Sequence, residues 1–161
     1  MKKIEYFFDC SSPWTYLSFR GILELRDKKD FEIIWKPILV GGIFNSINPS
    51  VYESRKNPVE EKLKYSQKDL KDWAKLRNLE INWPKIFPIN SVKAMRGAFH
   101  FVEKNTLEDY LESVFSGYWT HGKDISNIDT LLKIVEKLGE DQEQYLEVVN
   151  SEEAKQNLIE N

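Results

Sequence analysis

The spacing of hydrophobic residues changes after about residue 40. Before that point, two short apolar runs at residues 4–8 and 31–39 are typical of strands, and a densely apolar segment between them predicts a largely buried helix that ends near Arg26. Ser12 followed by Pro13 predicts the start of that helix, because serine caps a first turn and proline fits its first position. A strand, a helix and a strand with short connections predict a βαβ unit with two parallel strands.

The remainder of the chain has helical spacing. Pro37 should lie near the end of the second strand or on an unpaired edge, and Gly41 and Gly42 are expected to turn the chain after it. Five helices are then predicted, over residues 59–79, 92–104, 107–119, 128–138 and 142–149. A two-stranded sheet is only marginally stable by itself, so these two strands cannot support a domain of this size alone.

Composition and charge narrow the functional classes. The chain has 161 residues, of which 41% are hydrophobic, and a formal net charge of −3 with no concentrated basic patch, which argues for one globular unit that does not bind nucleic acid. Glu5 and Asp9 interrupt the apolar start, which is too short for a signal peptide, and no segment approaches the roughly 18 apolar residues of a membrane span. A single cysteine forms no internal disulfide and fits a cytoplasmic protein.

The start of the first helix is the candidate site. Unpaired N–H groups and the positive end of the helix dipole favour an anion there, and the Ser12 hydroxyl could donate a hydrogen bond to it. The alternative is that Ser12 is only a cap. Cys10 is interpreted as a packing residue, since one thiol cannot run dithiol exchange. His100 and His121 have neither an elbow motif near the serine nor metal-ligand spacing, so neither a catalytic triad nor a metal site is predicted.

Several motifs, in one order along the chain, resemble a known family. The segment Ser12-Pro13-Trp14-Thr15 occupies the place where thioredoxin-superfamily disulfide oxidoreductases carry Cys-x-x-Cys, and FDxxSPxxYL over residues 8–17 resembles the 2-hydroxychromene-2-carboxylate isomerases and kappa-class glutathione transferases. This is the DsbA-like branch with serine in place of the first cysteine. Further similar stretches are WKPIL at 35–39 with GIF at 42–44, YSQKDLKDWA at 65–74, NSVKAMR at 90–96, and YW at 118–119 with KDI at 123–125.

The resemblance implies an α/β fold of the thioredoxin-like, DsbA-like type with a large all-helical insertion. Residues 1–45 would form the N-terminal βαβ part, residues 46–150 the insertion, and residues 151–161 the start of the return to the thioredoxin-like domain. Family members continue with a cis-proline, two more strands and a last helix, whereas this chain stops at Asn161. We therefore expect a C-terminal truncation in which the last strands of the fold are missing from this chain.

The resemblance also implies glutathione as cofactor. Ser12 would donate a hydrogen bond to the glutathione thiolate, which adds reversibly to an unsaturated keto acid similar to 2-hydroxychromene-2-carboxylate and so isomerises it. Pro13, Trp14 and Asn48 are candidates for the glutathione side, although Asn48 could be only a loop residue before Pro49.

Asn90 and Arg96 are candidates for binding the substrate carboxylate, because arginine offers a bidentate fork; surface or interdomain pairing is the alternative for them. The expected partner is a small aromatic or unsaturated keto acid, and a homodimer is left open. Two other functions are considered: a kappa-type transferase that conjugates glutathione to electrophiles, and a non-catalytic truncated remnant.

Overall fold

The computed structural model describes the backbone of residues 1–161 and all side chains except those of residues 54 and 55. The predicted βαβ unit is confirmed: strand β1 covers Lys2–Phe8, helix α1 covers Pro13–Arg26, and strand β2 covers Phe31–Pro37. The two strands pair in parallel, with Lys2 opposite Phe31 and Phe8 opposite Pro37. Pro37 is thus the last residue of β2, where its missing N–H costs the ladder least.

Helix α1 begins as predicted. Ser12 has an extended backbone (φ −107°, ψ 123°), its side chain accepts a hydrogen bond from the Thr15 N–H, and Pro13 takes the first helical position. The helix buries Pro13, Tyr16, Leu17 and Phe19 against the rest of the molecule. Burial of these large side chains, rather than helix propensity, accounts for most of the stability of a segment this short.

The prediction that Gly41 and Gly42 turn the chain is wrong. Both lie in a short helix, α2, over Val40–Ser46. The Val40 N–H donates to the buried Asp9 carboxylate at 2.9 Å, and an anion at a helix N-terminus stabilises the first turn, which offsets the poor helix propensity of two glycines. A second short helix, α3, follows at Ser50–Lys56.

The five predicted helices are present, with shifted ends, and one more follows them. They are α4 at Glu60–Leu76, α5 at Val92–Glu103, α6 at Leu107–Phe115, α7 at Ile128–Lys137 and α8 at Gln142–Asn150, followed by α9 at Glu152–Glu160. Helix α6 ends before the predicted residue 119, because the chain continues as a π-helical turn over Ser116–Thr120. Helix α9 was not predicted; Ser151 caps it by accepting from the Ala154 N–H at 3.0 Å.

One hydrophobic core joins the βαβ unit to the helices. It runs from Phe8 on β1 through Phe19 on α1 to Phe115 on α6, and extends to Tyr145 on α8 and Leu158 on α9. No helix of the described chain is long and apolar enough to cross a bilayer.

Candidate active site

A buried carboxylate fixes the loop between β1 and α1. Asp9 is 1% exposed, and its two side-chain oxygens accept from the Ser11 N–H at 2.8 Å and from the Val40 N–H at 2.9 Å. Its backbone carbonyl accepts from the Ser12 N–H at 3.1 Å. These bonds attach the loop to the N-terminus of α2 and hold Ser12 at the start of α1.

The neighbouring thiol faces the core. Cys10 is fully buried, its N–H donates to the Met95 sulfur at 3.4 Å, and its carbonyl accepts from the Trp119 indole N–H at 3.0 Å. Burial, assisted by the nearby Asp9 charge, raises the pKa of the Cys10 thiol well above its ordinary value. The thiol is therefore protonated and inaccessible at neutral pH, which matches its interpretation as a packing residue.

Two hydrogen-bond donors remain available at the start of α1. The Ser12 oxygen accepts from the Thr15 N–H at 3.3 Å, which leaves its O–H free to donate, since no bond within the described part of the chain uses that proton. The Trp14 N–H belongs to the first helical turn and likewise has no acceptor among the described residues. Together with the helix dipole, these donors favour a negatively charged atom near Ser12.

A cavity of about 670 Å³ opens beside this helix start. Four of the predicted site residues line it: Ser12, Pro13, Trp14 and Asn90. Asn90 is exposed, and its side-chain oxygen accepts from the Val92 N–H at 3.0 Å at the start of α5. This bond uses only the oxygen of the amide, so the N–H groups of the Asn90 side chain remain available to a ligand. The lining of the cavity thus combines polar groups with an apolar wall, as small-molecule sites do.

The other two predicted site residues do not line this cavity. Asn48 is exposed between α2 and α3, where its side-chain oxygen accepts from the Ser50 hydroxyl at 2.6 Å. Arg96 lies on α5 and donates to the Val149 carbonyl at 3.4 Å, while its Nε is buried with no partner among the described residues. Their roles stay predictions.

Sequence reasoning missed two parts of the site. One is Asp9, for which the signal was an acid directly after an apolar strand. The other is the apolar wall, which includes Phe44, Leu63, Trp83 and Phe87. Two aromatic residues, each followed by a proline, in the segment 83–88 were a usable signal, because binding residues are often on loops and aromatic side chains bury large apolar areas.

The π-helical turn holds that wall in place. The Trp119 carbonyl accepts from the Asn82 N–H at 2.7 Å, the Thr120 hydroxyl donates to the Glu80 carbonyl at 2.7 Å, and the Tyr118 hydroxyl donates to the Ile86 carbonyl at 2.7 Å. The Trp83 ring packs edge-on against Trp119 with their centroids 5.9 Å apart. A segment without regular structure is thereby attached to the core.

The chain matches a known family over nearly its whole length. Residues 3–161 match the family model of the DSBA-like thioredoxin domain. The chain belongs to the DSBA-like thioredoxin family. The resemblance derived from the sequence is confirmed, and so is the expected thioredoxin-like fold with mostly helical content.

Named relatives agree with this assignment. The chain is 26% identical over 155 residues to a 2-hydroxychromene-2-carboxylate isomerase of Pseudomonas sp. strain C18, covering 94% of this chain and 69% of that protein. It is 25% identical over 169 residues to glutathione S-transferase kappa 2 of Caenorhabditis elegans, covering 99% and 73%. A solved 2-hydroxychromene-2-carboxylate isomerase superposes with a TM-score of 0.79 at 23% identity, over 98% of this chain and 76% of that one. The chain spans about two thirds of the length of the curated relatives it matches.

Proposed function

We propose that this protein is a glutathione-dependent isomerase that acts on an unsaturated keto acid similar to 2-hydroxychromene-2-carboxylate. The observation that carries the proposal is the pair of free donors, the Ser12 O–H and the Trp14 N–H, at a helix start that opens into a cavity. The relative of that name from Pseudomonas supports the choice of reaction.

The residues present fit a thiol cofactor. The cavity of about 670 Å³ lies within the range of roughly 300–1,000 Å³ that small-molecule sites occupy. Its polar side offers donors and a helix N-terminus to an anionic sulfur, and its apolar wall suits the organic body of a ligand. Bound glutathione would supply a thiolate, a nucleophile able to add reversibly to a conjugated double bond.

Ser12 would lower the pKa of such a thiol without reacting itself. A thiol of pKa roughly 8.5 is only about 3% ionised at pH 7, and a downward shift of two units, about 2.7 kcal/mol, makes it about three-quarters ionised. One hydrogen bond to a charged group together with a helix N-terminus is worth about this much. Because the Ser12 oxygen also accepts from the Thr15 N–H, the hydroxyl proton is directed away from that N–H and can be donated to a ligand.

The other candidate residues divide between cofactor and substrate. Pro13 and Trp14 line the cavity next to Ser12 and would contact the cofactor. The free amide N–H groups of Asn90 could donate to a substrate carboxylate. Asn48 and Arg96 keep their proposed roles, toward glutathione and toward the carboxylate, only if the ligand extends beyond the cavity lining.

A second candidate function is a kappa-type transferase. The relative from Caenorhabditis elegans favours it, and the same Ser12 geometry would serve it. The two reactions differ in product: an isomerase regenerates free glutathione and yields a rearranged alkene, whereas a transferase accumulates a glutathione conjugate.

The test uses purified protein with glutathione and 2-hydroxychromene-2-carboxylate, with products identified by mass spectrometry. Ser12→Ala should lower kcat/KM by about 30- to 150-fold, or about 2–3 kcal/mol, and should lower the free energy of unfolding by only about 1 kcal/mol for the lost cap. Ser18→Ala, which removes a hydroxyl of α1 that does not line the cavity, is the control. Unchanged activity in the Ser12 variant, or turnover without glutathione, would contradict the proposal.

A further inference from the structure

Strand β1 has an unpaired edge. It pairs with β2 on one side, and no strand pairs with its other side in the part of the chain that the structure describes. The Ile38 N–H donates to the Phe8 carbonyl at 2.9 Å, so the main chain of Phe8 points toward β2. Because the main-chain groups of alternate residues point to the same side of a strand, those of Lys3, Glu5 and Phe7 point to the open edge. Such a row of free N–H and C=O groups is a template for an added strand.

An apolar groove adjoins the N-terminal half of β1. It has a volume of about 870 Å³, and its apolar lining includes Ile4 of β1, Leu25 of α1 and Phe31 of β2. Leu25 is 44% exposed, and Met1, which also lines the groove, is 80% exposed. A strand added at the open edge would both satisfy the main chain of β1 and cover part of this apolar surface, so the two features together favour a polypeptide as the partner.

The charges on β1 restrict which strand can pair with it. Lys3 and Glu5 are exposed and lie two residues apart, so their side chains are on the same face of the strand. Lys3 contacts Glu32 of β2 at 3.2 Å, whereas Glu5 has no ion pair among the residues that the structure describes. Like charges directly opposite each other destabilise a strand pair. A matching antiparallel strand therefore carries an acid opposite Lys3 and a base opposite Glu5.

A second copy of β1 meets this requirement in one register. When two β1 strands pair antiparallel about a two-fold axis at Ile4, Lys3 of each copy lies opposite Glu5 of the other. The outward main-chain groups of Lys3 and Glu5 then form the hydrogen bonds between the copies, and the two Ile4 residues face each other as a non-hydrogen-bonded pair. The neighbouring registers, with the axis at Lys3 or at Glu5, place like charges opposite each other and are disfavoured.

We propose that the open edge of β1 binds a second copy of this chain, through an antiparallel pair of β1 strands centred on Ile4. The pair joins two two-stranded sheets into one sheet of four strands, and two-stranded sheets alone are marginally stable. It also gives Glu5 a basic partner. The interface is independent of the proposed isomerase reaction, since neither Ile4 nor the two charged residues beside it line the Ser12 cavity.

The first test is charge complementation in the full chain, followed by analytical ultracentrifugation. Glu5→Lys places lysine opposite lysine between copies, and Lys3→Glu places glutamate opposite glutamate. An equimolar mixture of the two variants restores opposite charges at both contacts. Glu136→Lys and Lys133→Glu, alone and mixed, make the same charge changes at exposed positions of α7 and are the matched controls.

The second test is disulfide cross-linking, which reports the register. Ile4→Cys brings two thiols together in a non-hydrogen-bonded pair with Cα atoms about 4.5 Å apart, which suits a disulfide. Glu5→Cys is the control, because in this register the two introduced thiols are diagonal neighbours that lie too far apart to join. The native Cys10 is fully buried and does not compete.

We expect a monomer–dimer equilibrium for the parent, with a Kd of about 1–100 µM. Each β1 variant alone should dimerise about tenfold or more weakly, because two cross-strand attractions become repulsions, and their mixture should recover heterodimers. The α7 controls should stay within about twofold of the parent, and oxidation should link Ile4→Cys but not Glu5→Cys. A parent that remains monomeric at about 500 µM would overturn the proposal, as would a dimer unaffected by Glu5→Lys, a mixture that stays monomeric, or equal cross-linking at both cysteine positions.

Discussion

At the residue scale, the Ser12 hydroxyl has one observed task, the cap of α1, and one proposed task, donation to a ligand. The Ser12 oxygen accepts the Thr15 N–H and so caps α1, and the same hydroxyl retains a proton to donate into the cavity. The two alternatives for this residue, a cap or a ligand donor, are therefore compatible, because a hydroxyl is both acceptor and donor. The cap reading is confirmed, and the donor role is the proposal that the Ser12→Ala variant tests.

Asp9 is the residue on which the position of Ser12 depends. We expect Asp9→Asn to lower the free energy of unfolding by about 1–3 kcal/mol, because an amide can replace only one of two buried acceptors and leaves a backbone N–H unsatisfied. Urea unfolding measures this loss, and hydrogen exchange should show faster exchange of the Ser11 and Val40 amides.

The matched control for Asp9 is Asp30→Asn, which makes the same change at an exposed position where the carboxylate has no hydrogen bond within the described structure. Its stability should stay within about 0.5 kcal/mol of the parent. Equal exchange rates of the Ser11 and Val40 amides in the Asp9 variant and the parent would show that the carboxylate does not hold the loop.

At the element scale, the close approach of α5 and α8 depends on one glycine. A Cβ atom at Gly97 would lie 2.2 Å from the Tyr145 hydroxyl oxygen and 2.4 Å from its ring. Tyr145 cannot move away freely, since it is fully buried and its hydroxyl is hydrogen-bonded to Tyr110 at 3.0 Å. The packing of α5 against α8 therefore requires glycine at position 97.

We expect Gly97→Ala to lower the free energy of unfolding by about 1–3 kcal/mol through overpacking, despite the better helix propensity of alanine. The control is Gly117→Ala, another buried glycine, whose added Cβ would meet nothing closer than 3.8 Å. Thermal or urea unfolding of both variants measures the difference, and a Gly97 variant as stable as the Gly117 variant would refute the packing argument.

A charged cluster links α5 to the loop between α7 and α8. The Glu140 carboxylate accepts from the Lys104 ammonium and lies 3.3 Å from the buried His100 ring nitrogen. The hydrogen bond from Lys104, with smaller contributions from His100, lowers the pKa of Glu140 below its ordinary value of 4.5. A lowered folded-state pKa stabilises the fold at pH values above 4.5, and this contribution is lost as the pH falls through the folded pKa.

Accordingly, Glu140→Gln should lower the free energy of unfolding by about 1 kcal/mol at neutral pH. The value is modest because Lys104 is partly open to solvent. The difference in unfolding free energy between parent and variant should shrink as the pH falls below about 4.5. Glu136→Gln, an exposed change on α7, is the control. If the difference in unfolding free energy between parent and variant stayed constant down to acidic pH, the Glu140 charge would contribute nothing to stability.

At the scale of the whole molecule, the sheet and the helices share one core. The Phe115 ring of α6 stacks on Tyr16 of α1 with their centroids 5.1 Å apart, and packs on Phe19 at 5.5 Å. The division at residues 45 and 150 stays a prediction, but side chains from both sides of the first boundary bury each other.

This packing predicts one cooperative transition. Phe115→Ala should lower the free energy of unfolding by about 3–5 kcal/mol, and circular dichroism and tryptophan fluorescence should report the same urea midpoint in the parent. Phe7→Ala, at a 46% exposed position of β1, should cost far less. Two separate midpoints for the parent would contradict a shared core.

The sequence by itself determined the features that arise from local physics. The capped start of α1 at Ser12 and Pro13, the parallel βαβ unit and the burial of Cys10 follow from residue types, their spacing and short connections, and the family follows from motifs that need no coordinates. Helix ends were less predictable, because the π-helical turn after Phe115 is stabilised by hydrogen bonds to residues 80–86 that no periodicity reveals.

Only the tertiary structure decided which distant residues meet. Gly41 and Gly42 are helical because the Asp9 carboxylate, 31 residues from Val40, caps their helix, and propensity alone favours a turn. Asn90 reaches the cavity, whereas Asn48 and Arg96 do not line it, although all three lie in stretches that resemble the family or neighbour them. The physical reason is that a cavity is the space between elements, so its lining depends on how α1, α4 and the segment 78–92 pack, and that packing is set by contacts far apart in the chain.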